Sequence, residues 1–230
     1  MWSREAVLRV IRADLHIHTI ESDGSIEPHE VVSAARARGL DAVAITDHDS
    51  FRGALVAQRY ARLHEDKVLV LAGAEVTTDW GHIIVLCEKP PRWSSSLPSD
   101  PHELRDLATL DNCLLTAPHP FDYTRRGVGA RIFREKGFFD GVELWNASSL
   151  PVFNLPALLL AERLEASWLA SSDAHVLEEV GGAYTLIDSQ DRNADSLLEA
   201  MRRRRTAPYP GVLGLRARLV RISWSISRRM

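Results

Sequence analysis

The chain has 230 residues, of which 45% are hydrophobic and 26% are charged, and its formal net charge is −3. These values are typical of one globular domain that is long enough for a complete barrel. No apolar run reaches 18 residues, and the segment before the first predicted strand is too short for a signal peptide. The two cysteines, Cys87 and Cys113, lie in apolar runs and are predicted to be buried thiols. We therefore expect a cytoplasmic protein with no membrane span.

Predicted strands and helices alternate along almost the whole chain. Strands are predicted at 13–18, 42–46, 68–72, 82–86, 113–117, 139–144, 168–171 and 183–187, and helices at 27–38, 51–63, 101–110, 152–165 and 194–205. Such alternation favours a parallel sheet covered by helices, in the α/β class. Metal-binding residue types follow at least five of these strands. A closed barrel brings strand ends together at one face, so we expect a barrel rather than an open sheet.

Charge is distributed unevenly along the chain. Residues 201–230 contain nine arginines and no acidic residue, whereas the other 200 residues carry 19 basic and 31 acidic residues, a balance of −12. In 211–230 five of these arginines are mixed with apolar residues. We predict that this basic-apolar segment packs on the barrel or forms a subunit interface. Binding of nucleic acid and a membrane-surface helix remain alternatives.

Two pairs of residues have the spacing of metal ligands on a strand. His16 and His18 are two residues apart, so on a strand their imidazoles point to the same face. Asp173 and His175 repeat this spacing near the other end of the barrel sequence, and the two segments become neighbours when a barrel closes. Imidazole and carboxylate together suit Zn, Mn or Fe.

Six of the nine histidines lie in short motifs that follow one another along the chain. The motifs are Asp-Leu-His-Ile-His-Thr from Asp14, Ser-Asp-Gly from Ser22, Ile-Thr-Asp-His-Asp from Ile45, Gly-Ala-Glu from Gly73, Gly-His-Ile from Gly81, Pro-His-Pro from Pro118 and Ser-Ser-Asp-Ala-His from Ser171. In this order they resemble the PHP family, the polymerase and histidinol phosphatase domains, from residue 14 to about residue 205. The resemblance implies a single distorted seven-stranded β/α (TIM-like) barrel over residues 1–210, followed by the basic-apolar segment 211–230.

The same resemblance implies two or three divalent metal ions held by nine residues. The first ion would be held by His16, His18, Glu75 and Asp173, the second by Glu75, His82 and His119, and the third by Asp23, His48 and His175. Glu75 would bridge the first two ions, and Glu75, His119 and Asp173 would be the catalytic ligands. Glu21 is an alternative to Asp23 as a ligand of the third ion, because it lies two residues away and would face the same side.

Most characterised stand-alone PHP proteins hydrolyse phosphate esters, so the resemblance implies a metal-dependent phosphoesterase. Clustered dications neutralise the developing charge and lower the pKa of bound water toward about 7. A metal-bridging hydroxide would then attack, and no protein nucleophile is needed. The expected substrate is a small phosphorylated metabolite, a nucleotide such as a 3′,5′-bisphosphate, or a short oligonucleotide. A hydrolase of C–N or carboxylic ester bonds and a non-catalytic scaffold remain alternatives, and the oligomeric state stays open.

Other polar residues are candidates for supporting roles. Arg125, Arg126 and Arg131 follow His119 within twelve residues, and arginine forks suit phosphate, so we expect at least one of them to bind substrate. Asp47, beside His48, either orients a ligand histidine or caps a turn. Glu143 and Asn146, at a strand end, either support the site or make structural hydrogen bonds.

Overall fold

One mixed sheet forms the centre of the computed structural model, which describes residues 9–228. The nine strands of this region are β1 (Arg9–Asp14), β2 (Ala42–Ile45), β3 (Leu69–Thr78), β4 (Gly81–Cys87), β5 (Leu114–Ala117), β6 (Gly141–Asn146), β7 (Ser167–Ser171), β8 (Tyr184–Ser189) and β9 (Thr206–Tyr209). The α-helices are α1 (Pro28–Ala37), α2 (Arg52–Leu63), α3 (Pro101–Leu110), α4 (Arg131–Arg134), α5 (Pro151–Leu159), α6 (Ala194–Arg202) and α7 (Leu215–Ser227). The strand order is β7-β6-β5-β4-β3-β2-β1-β8-β9.

The sequence had predicted a parallel sheet, but the observed sheet is mixed. Strands β1, β2 and β3 are parallel, and so are β5, β6 and β7, but β4 runs antiparallel to both of its neighbours, β3 and β5. The reason is the length of β3, which continues to Thr78 and turns through two residues into Gly81. A connection this short joins antiparallel strands only, because parallel neighbours need a long crossover.

The expectation of seven strands was also wrong, because β8 and β9 extend the sheet beyond β1. Strand β8 pairs antiparallel with β1, and β9 pairs antiparallel with β8. Strand β9 is exposed in part and contains Pro208, which suits its position at the edge of the sheet. Its four residues carry little of the alternation by which a strand is recognised in a sequence.

The sheet curls into a nearly closed barrel. Beyond the ends of β1 and β7, Ile17 and Ala174 form a parallel bridge, and the backbone N–H of His18 donates to the carbonyl of Ala174 at 2.8 Å. The two edge strands of the sheet, β7 and β9, also lie side by side. The two chain segments with the His-x-His and Asp-x-His motifs therefore meet, as barrel closure predicted, although both motifs lie just after their strands.

Alternating residues of the strands divide the core into an inner and an outer part. Ala42 and Ala44 of β2 belong to the inner part, whereas Val43 and Ile45 belong to the outer part, under the helices. Helix α6 contributes Leu198 and other buried side chains to the inner part. Apolar side chains thus fill the barrel, and polar side chains gather where β1, β2, β5 and β7 end.

Cys87 and Cys113 form a disulfide bond, which corrects the prediction of two buried thiols. Both residues are buried, as expected. The antiparallel register that pairs Leu86 with Leu114 places Cys87 opposite Cys113, and their Cα atoms are 4.5 Å apart. A parallel arrangement of these strands, as the sequence suggested, would not have indicated this pairing.

The basic-apolar segment forms α7 and contacts the barrel. Leu213 and Ala217 are buried against Ala147, Ala170 and Ala183. The division of the chain into a barrel domain, residues 1–210, and a separate C-terminal segment, residues 211–230, stays a prediction. Within residues 9–228, no helix combines the length and the apolar character required to cross a membrane.

Candidate metal centre

The structure brings all nine predicted ligands together at one end of the barrel. Most of them lie on the segments that follow strands, and the backbone of His48 pairs with that of Glu75 of β3. Their ligand atoms form overlapping trios in which all atoms lie within 4.8 Å of one another: His16–His18–Glu75, His16–His119–Asp173, His18–Asp23–His48, His18–Asp173–His175 and His48–Glu75–His82. Residues that are 159 positions apart in the sequence thus share one cluster.

Glu75 is at the centre of this cluster and is almost fully buried. Its Oε1 lies 3.0 Å from both His82 Nδ1 and His119 Nε2. Its Oε2 faces a different set, at 3.2 Å from His18 Nε2, 3.4 Å from His16 Nε2 and 3.3 Å from His48 Nδ1. The two oxygens of one carboxylate therefore face two groups of imidazoles, which is the arrangement that a bridging ligand requires.

Asp23, rather than Glu21, faces the cluster. Asp23 lies 3.3 Å from His18 Nδ1 and 3.3 Å from His175 Nε2, and 3.7 Å from His48 Nε2. Glu21 instead pairs with Arg52 Nε at 3.1 Å. Of these two neighbouring acids, the structure thus brings only Asp23 to the histidines.

Asp173 completes the cluster from the loop after β7. Its Oδ1 lies 3.5 Å from His18 Nε2 and 3.6 Å from His16 Nε2, whereas its Oδ2 accepts hydrogen bonds from Arg125 and Asn146. The φ angles of Asp173 and His119 are +53° and +30°, values that residues other than glycine rarely adopt. Strained backbone of this kind is concentrated at functional sites, where the surrounding structure holds it in place.

Glu143 and Asn146 orient several members of the cluster. Glu143 Oε1 accepts from His16 Nδ1 at 3.0 Å, and its Oε2 accepts from the backbone N–H of His119 at 2.8 Å and from Asn146 Nδ2 at 3.0 Å. With Nδ1 of His16 bound to Glu143, its Nε2 faces the cluster. Asp47 has the other role considered for it, since it caps a turn by accepting from Thr19 and Ser22.

The charges and hydrogen bonds of the cluster fit metal ions. His16 Nε2 and His18 Nε2 approach to 3.0 Å, and both face the carboxylates of Glu75 and Asp173. The buried atoms His18 Nδ1, Asp23 Oδ1, His82 Nδ1 and His119 Nδ1 have no hydrogen-bond partner among residues 9–228. A buried polar atom without a partner costs about 1–3 kcal/mol. A divalent cation would accept electron pairs from such donors and remove this cost.

The pKa values reflect the same need for positive charge. Burial lowers the pKa of His18, but hydrogen bonds to Asp173 and Glu75 outweigh burial and raise it to about 9. Burial raises the pKa of Glu75, but the neighbouring histidines outweigh it and hold the pKa well below its usual range. Asp173 behaves in the same way because Arg125 and His16 are close. Burial and the charge of His18 lower the pKa of His175 to about 4. Protons on His16 and His18 thus neutralise the carboxylates in the metal-free cluster.

Only one of the three predicted arginines points its guanidinium at this cluster. Arg125 contacts Asp173 and donates to the carbonyl of Ser148 at 3.4 Å. Arg126 is exposed, and only its carbonyl takes part, accepting from the backbone N–H of His82 at 2.9 Å. Arg131 is exposed and lies over the ring of Trp80, 5.5 Å from its centre. Phosphate binding by Arg126 or Arg131 stays a prediction that this arrangement does not favour.

Residues that the sequence did not indicate also border the cluster. Glu179 accepts from the backbone N–H of His175 at 2.8 Å and pairs with Arg221 of α7 at 2.5 Å. Trp224 of the same helix lies beside His175, and Arg228, directly after the helix, lies beside Asp23. Their spacing along α7 carried no metal or substrate motif, so only the fold shows their position.

Comparisons with known proteins agree with the motifs. The sequence pattern of the PHP domain matches residues 14–103, and the pattern described as PHP-associated matches residues 151–206. An uncharacterized protein of Methanocaldococcus jannaschii is 34% identical over 150 residues, which are 60% of this chain and 82% of the relative. The 3′,5′-nucleoside bisphosphate phosphatase of Chromobacterium violaceum is 39% identical over 77 residues, 32% of this chain and 26% of that enzyme.

A solved structure shares the fold over nearly the whole chain. It is a two-domain protein from Bacteroides vulgatus that contains a predicted PHP-like metal-dependent phosphoesterase. The TM-score is 0.71 at 19% sequence identity, and the match covers 90% of this chain and 66% of that one. At this identity the likeness shows the fold, and it leaves the chemistry to be argued from the residues themselves.

Proposed function

The chain belongs to the PHP family, and on that premise we propose that it is a divalent-metal-dependent phosphoesterase. The proposed substrates are a small phosphorylated metabolite, a nucleotide such as a 3′,5′-bisphosphate, or a short oligonucleotide. The observation that carries the proposal is the convergence of six imidazoles and two further carboxylates around the buried Glu75.

Each ligand has a proposed place in this centre. His16, His18, Glu75 and Asp173 would hold a first ion, Glu75, His82 and His119 a second, and Asp23, His48 and His175 a third. Bound divalent ions would supply a hydroxide at neutral pH and would neutralise charge on the transferring phosphoryl group. The separate sets of histidines facing the two oxygens of Glu75 support its bridging role. Mn, Zn and Fe are the proposed metals, since all three accept imidazole and carboxylate.

Arg125 is the proposed phosphate-binding side chain. Its guanidinium contacts Asp173, and the charge of that carboxylate raises its pKa, so it stays a cation at any working pH. About a quarter of the side chain is exposed, which leaves it open to substrate at the edge of the cluster. An arginine fork can bind two phosphate oxygens and hold the ester in one orientation.

The neighbouring serines do not support a covalent mechanism. Ser172 Oγ donates to Asp14 at 2.5 Å, and Asp14 also accepts from the backbone N–H groups of Ser172 and Gly181. This network anchors the loop that carries Asp173. The hydrolysis proposed here therefore uses water, and the side chains of the site bind, orient and neutralise.

Two other functions are less well supported. A C–N hydrolase with a carbamylated bridging lysine would need a lysine in the cluster, but all three lysines, Lys67, Lys89 and Lys136, are exposed. A non-catalytic scaffold would have no use for nine ligand residues held in a buried cluster. The phosphoesterase is the function that uses every residue of the cluster.

The proposal is tested by phosphate release after reconstitution with Mn, Zn or Fe. The substrates to compare are p-nitrophenyl phosphate, adenosine 3′,5′-bisphosphate and a short RNA, beside a carboxylic ester and an amide. We expect metal-dependent release of phosphate from at least one of the first three. Tight metal binding together with cleavage of the ester or amide alone would contradict the proposal.

A further inference from the structure

A cavity opens beside the third group of candidate ligands. Its volume is about 340 Å³, and it is lined by Asp23, His175 and four residues of α7 and its C-terminus: Arg221, Trp224, Ser225 and Arg228. The size is within the range of about 300–1,000 Å³ that is usual for small-molecule sites. The α7 wall lies outside the two segments that match the family patterns, so family resemblance assigns nothing to it.

Helix α7 exposes its large apolar side chains and turns its basic and aromatic side chains toward the barrel, which is the reverse of the usual arrangement. Leu215, Leu219, Ile222 and Ile226 form an exposed apolar face, each more than half exposed. Arg221, Trp224 and Arg228 have the spacing i, i+3, i+7, so they share a face, and that face is turned toward the cluster. An amphipathic helix normally buries its apolar stripe. Burial of the large apolar side chains of α7 therefore does not account for this orientation.

The two arginines of this wall differ in their remaining hydrogen-bonding capacity. Arg221 is paired with the buried Glu179 and is fixed in place. Arg228 is 53% exposed; its Nη1 donates to the carbonyl of Asp23 at 3.1 Å and lies 3.7 Å from Oδ2 of the same residue. Its Nη2 and Nε donate to no residue between 9 and 228. Arg228 therefore keeps donors that can bind a ligand in the cavity that it lines.

Trp224 lies beneath these two charges, and its ring is in cation–π contact with both arginines. The guanidinium carbons of Arg221 and Arg228 lie 5.9 Å and 5.6 Å from the centre of its ring. The ring is half-buried and lies 6.2 Å from that of His175. An aromatic ring flanked by arginines is the combination that binds a nucleobase by stacking and a phosphate by charge-assisted hydrogen bonds.

We propose that this wall is a subsite for the part of a nucleotide substrate that does not react. The base stacks on Trp224, and a second phosphate binds Arg228, while the ester to be cleaved lies at the metal cluster. The inference rests on the proposed function and narrows its substrate class to nucleotides that carry a second phosphate. It also explains why α7 turns its polar face inward.

The experiment compares wild type with Trp224→Ala, Trp224→Phe and Arg228→Ala. Arg218→Ala is the matched control, because it removes the same charge from the exposed side of the same helix. On the Mn-loaded enzyme, the ratio of kcat/KM for adenosine 3′,5′-bisphosphate to that for p-nitrophenyl phosphate is measured. On the metal-free full-length protein, calorimetry gives the Kd for the bisphosphate without turnover.

We expect Trp224→Ala and Arg228→Ala each to lower the selectivity ratio about tenfold and to raise the Kd to a similar extent. Trp224→Phe retains a stacking surface and should recover most of the loss, and Arg218→Ala should match wild type. Hydrolysis of both substrates with equal ratios in all variants would overturn the subsite and leave the phosphoesterase intact. Should no ester be hydrolysed, an unchanged Kd in Trp224→Ala and Arg228→Ala overturns the subsite, whereas a raised Kd supports it.

Discussion

Glu143 decides which nitrogen of His16 faces the cluster of candidate ligands. Its Oε1 holds His16 Nδ1 at 3.0 Å, and its Oε2 holds the backbone of His119 and the side chain of Asn146. Burial raises the pKa of Glu143, but the charge of His16 outweighs it and lowers the pKa. The Glu143 carboxylate thus fixes the tautomer of His16 and the position of the loop that carries His119. Partners of this kind orient metal ligands and raise their basicity.

Replacement of Glu143 by glutamine should weaken metal binding without unfolding the protein. Glutamine has a similar volume but lacks the charge that supports His16, so we expect metal affinity to fall by about 10–100-fold. Chelator competition with Zn²⁺ measures the change. Glu162→Gln, at an exposed position, is the control. Equal affinity in Glu143→Gln and wild type would show that His16 needs no such partner.

The raised pKa values of His16 and His18 predict how the metal-free protein responds to alkali. A group whose folded pKa is raised stabilises the fold below its unfolded pKa, and that stability is lost as pH rises through the folded pKa. For His18 the window runs from 6.5 to about 9, and His16 shifts in the same direction. Glu75 and Asp173 are ionised in both states in this window and add no slope. His175 is neutral in the folded state, and the unfolded form has lost most of its proton by about pH 7.5, so above that pH it opposes the fall only slightly.

The thermal midpoint of the protein in EDTA should therefore fall by several degrees between about pH 7 and pH 9. Saturating Mn²⁺ takes the place of the protons and should remove most of this fall, because ligand histidines bind metal in the neutral form. Differential scanning calorimetry measures both curves. A metal-free midpoint that is flat over this range would contradict the account of the cluster as a set of protonated histidines.

At the scale of elements, local patterns predicted where strands and helices lie but not how strands pair. Helix 101–110 was predicted with the observed bounds, and strand 42–46 within one residue. The antiparallel β3–β4–β5 region was missed because a strand's sequence does not record its neighbour's direction. The disulfide was missed with it, since only the register places Cys87 opposite Cys113.

The disulfide between Cys87 and Cys113 should stabilise the barrel. It closes a loop with a sequence separation of 26, and a crosslink over such a loop is worth about 2–4 kcal/mol through the unfolded state. We expect urea denaturation to show this loss in the free energy of unfolding when the protein is reduced. The double variant Cys87→Ala/Cys113→Ala should resemble reduced wild type. Two reactive thiols in denatured, unreduced protein would contradict the pairing.

At the scale of the whole molecule, the composition of the candidate site was predictable and its surroundings were not. The nine candidate ligands could be predicted to converge because each lies in a short motif near a strand end, and barrel closure gathers such ends. Arg125 was one of three equivalent arginines until the fold placed it at Asp173. Trp224 and Arg228 carried no local signal, because their proximity to Asp23 and His175 depends on how α7 docks on the barrel.

The most direct test of the central claim counts bound metal ions and measures phosphate release on the same sample. Metal-free protein is loaded with Mn²⁺, and wild type is compared with His16→Ala and Asp173→Ala. The account predicts two or three ions per chain and hydrolysis in wild type, and fewer ions and no hydrolysis in the variants, with near-native circular dichroism. No bound metal in wild type, or full turnover in either variant, would contradict it.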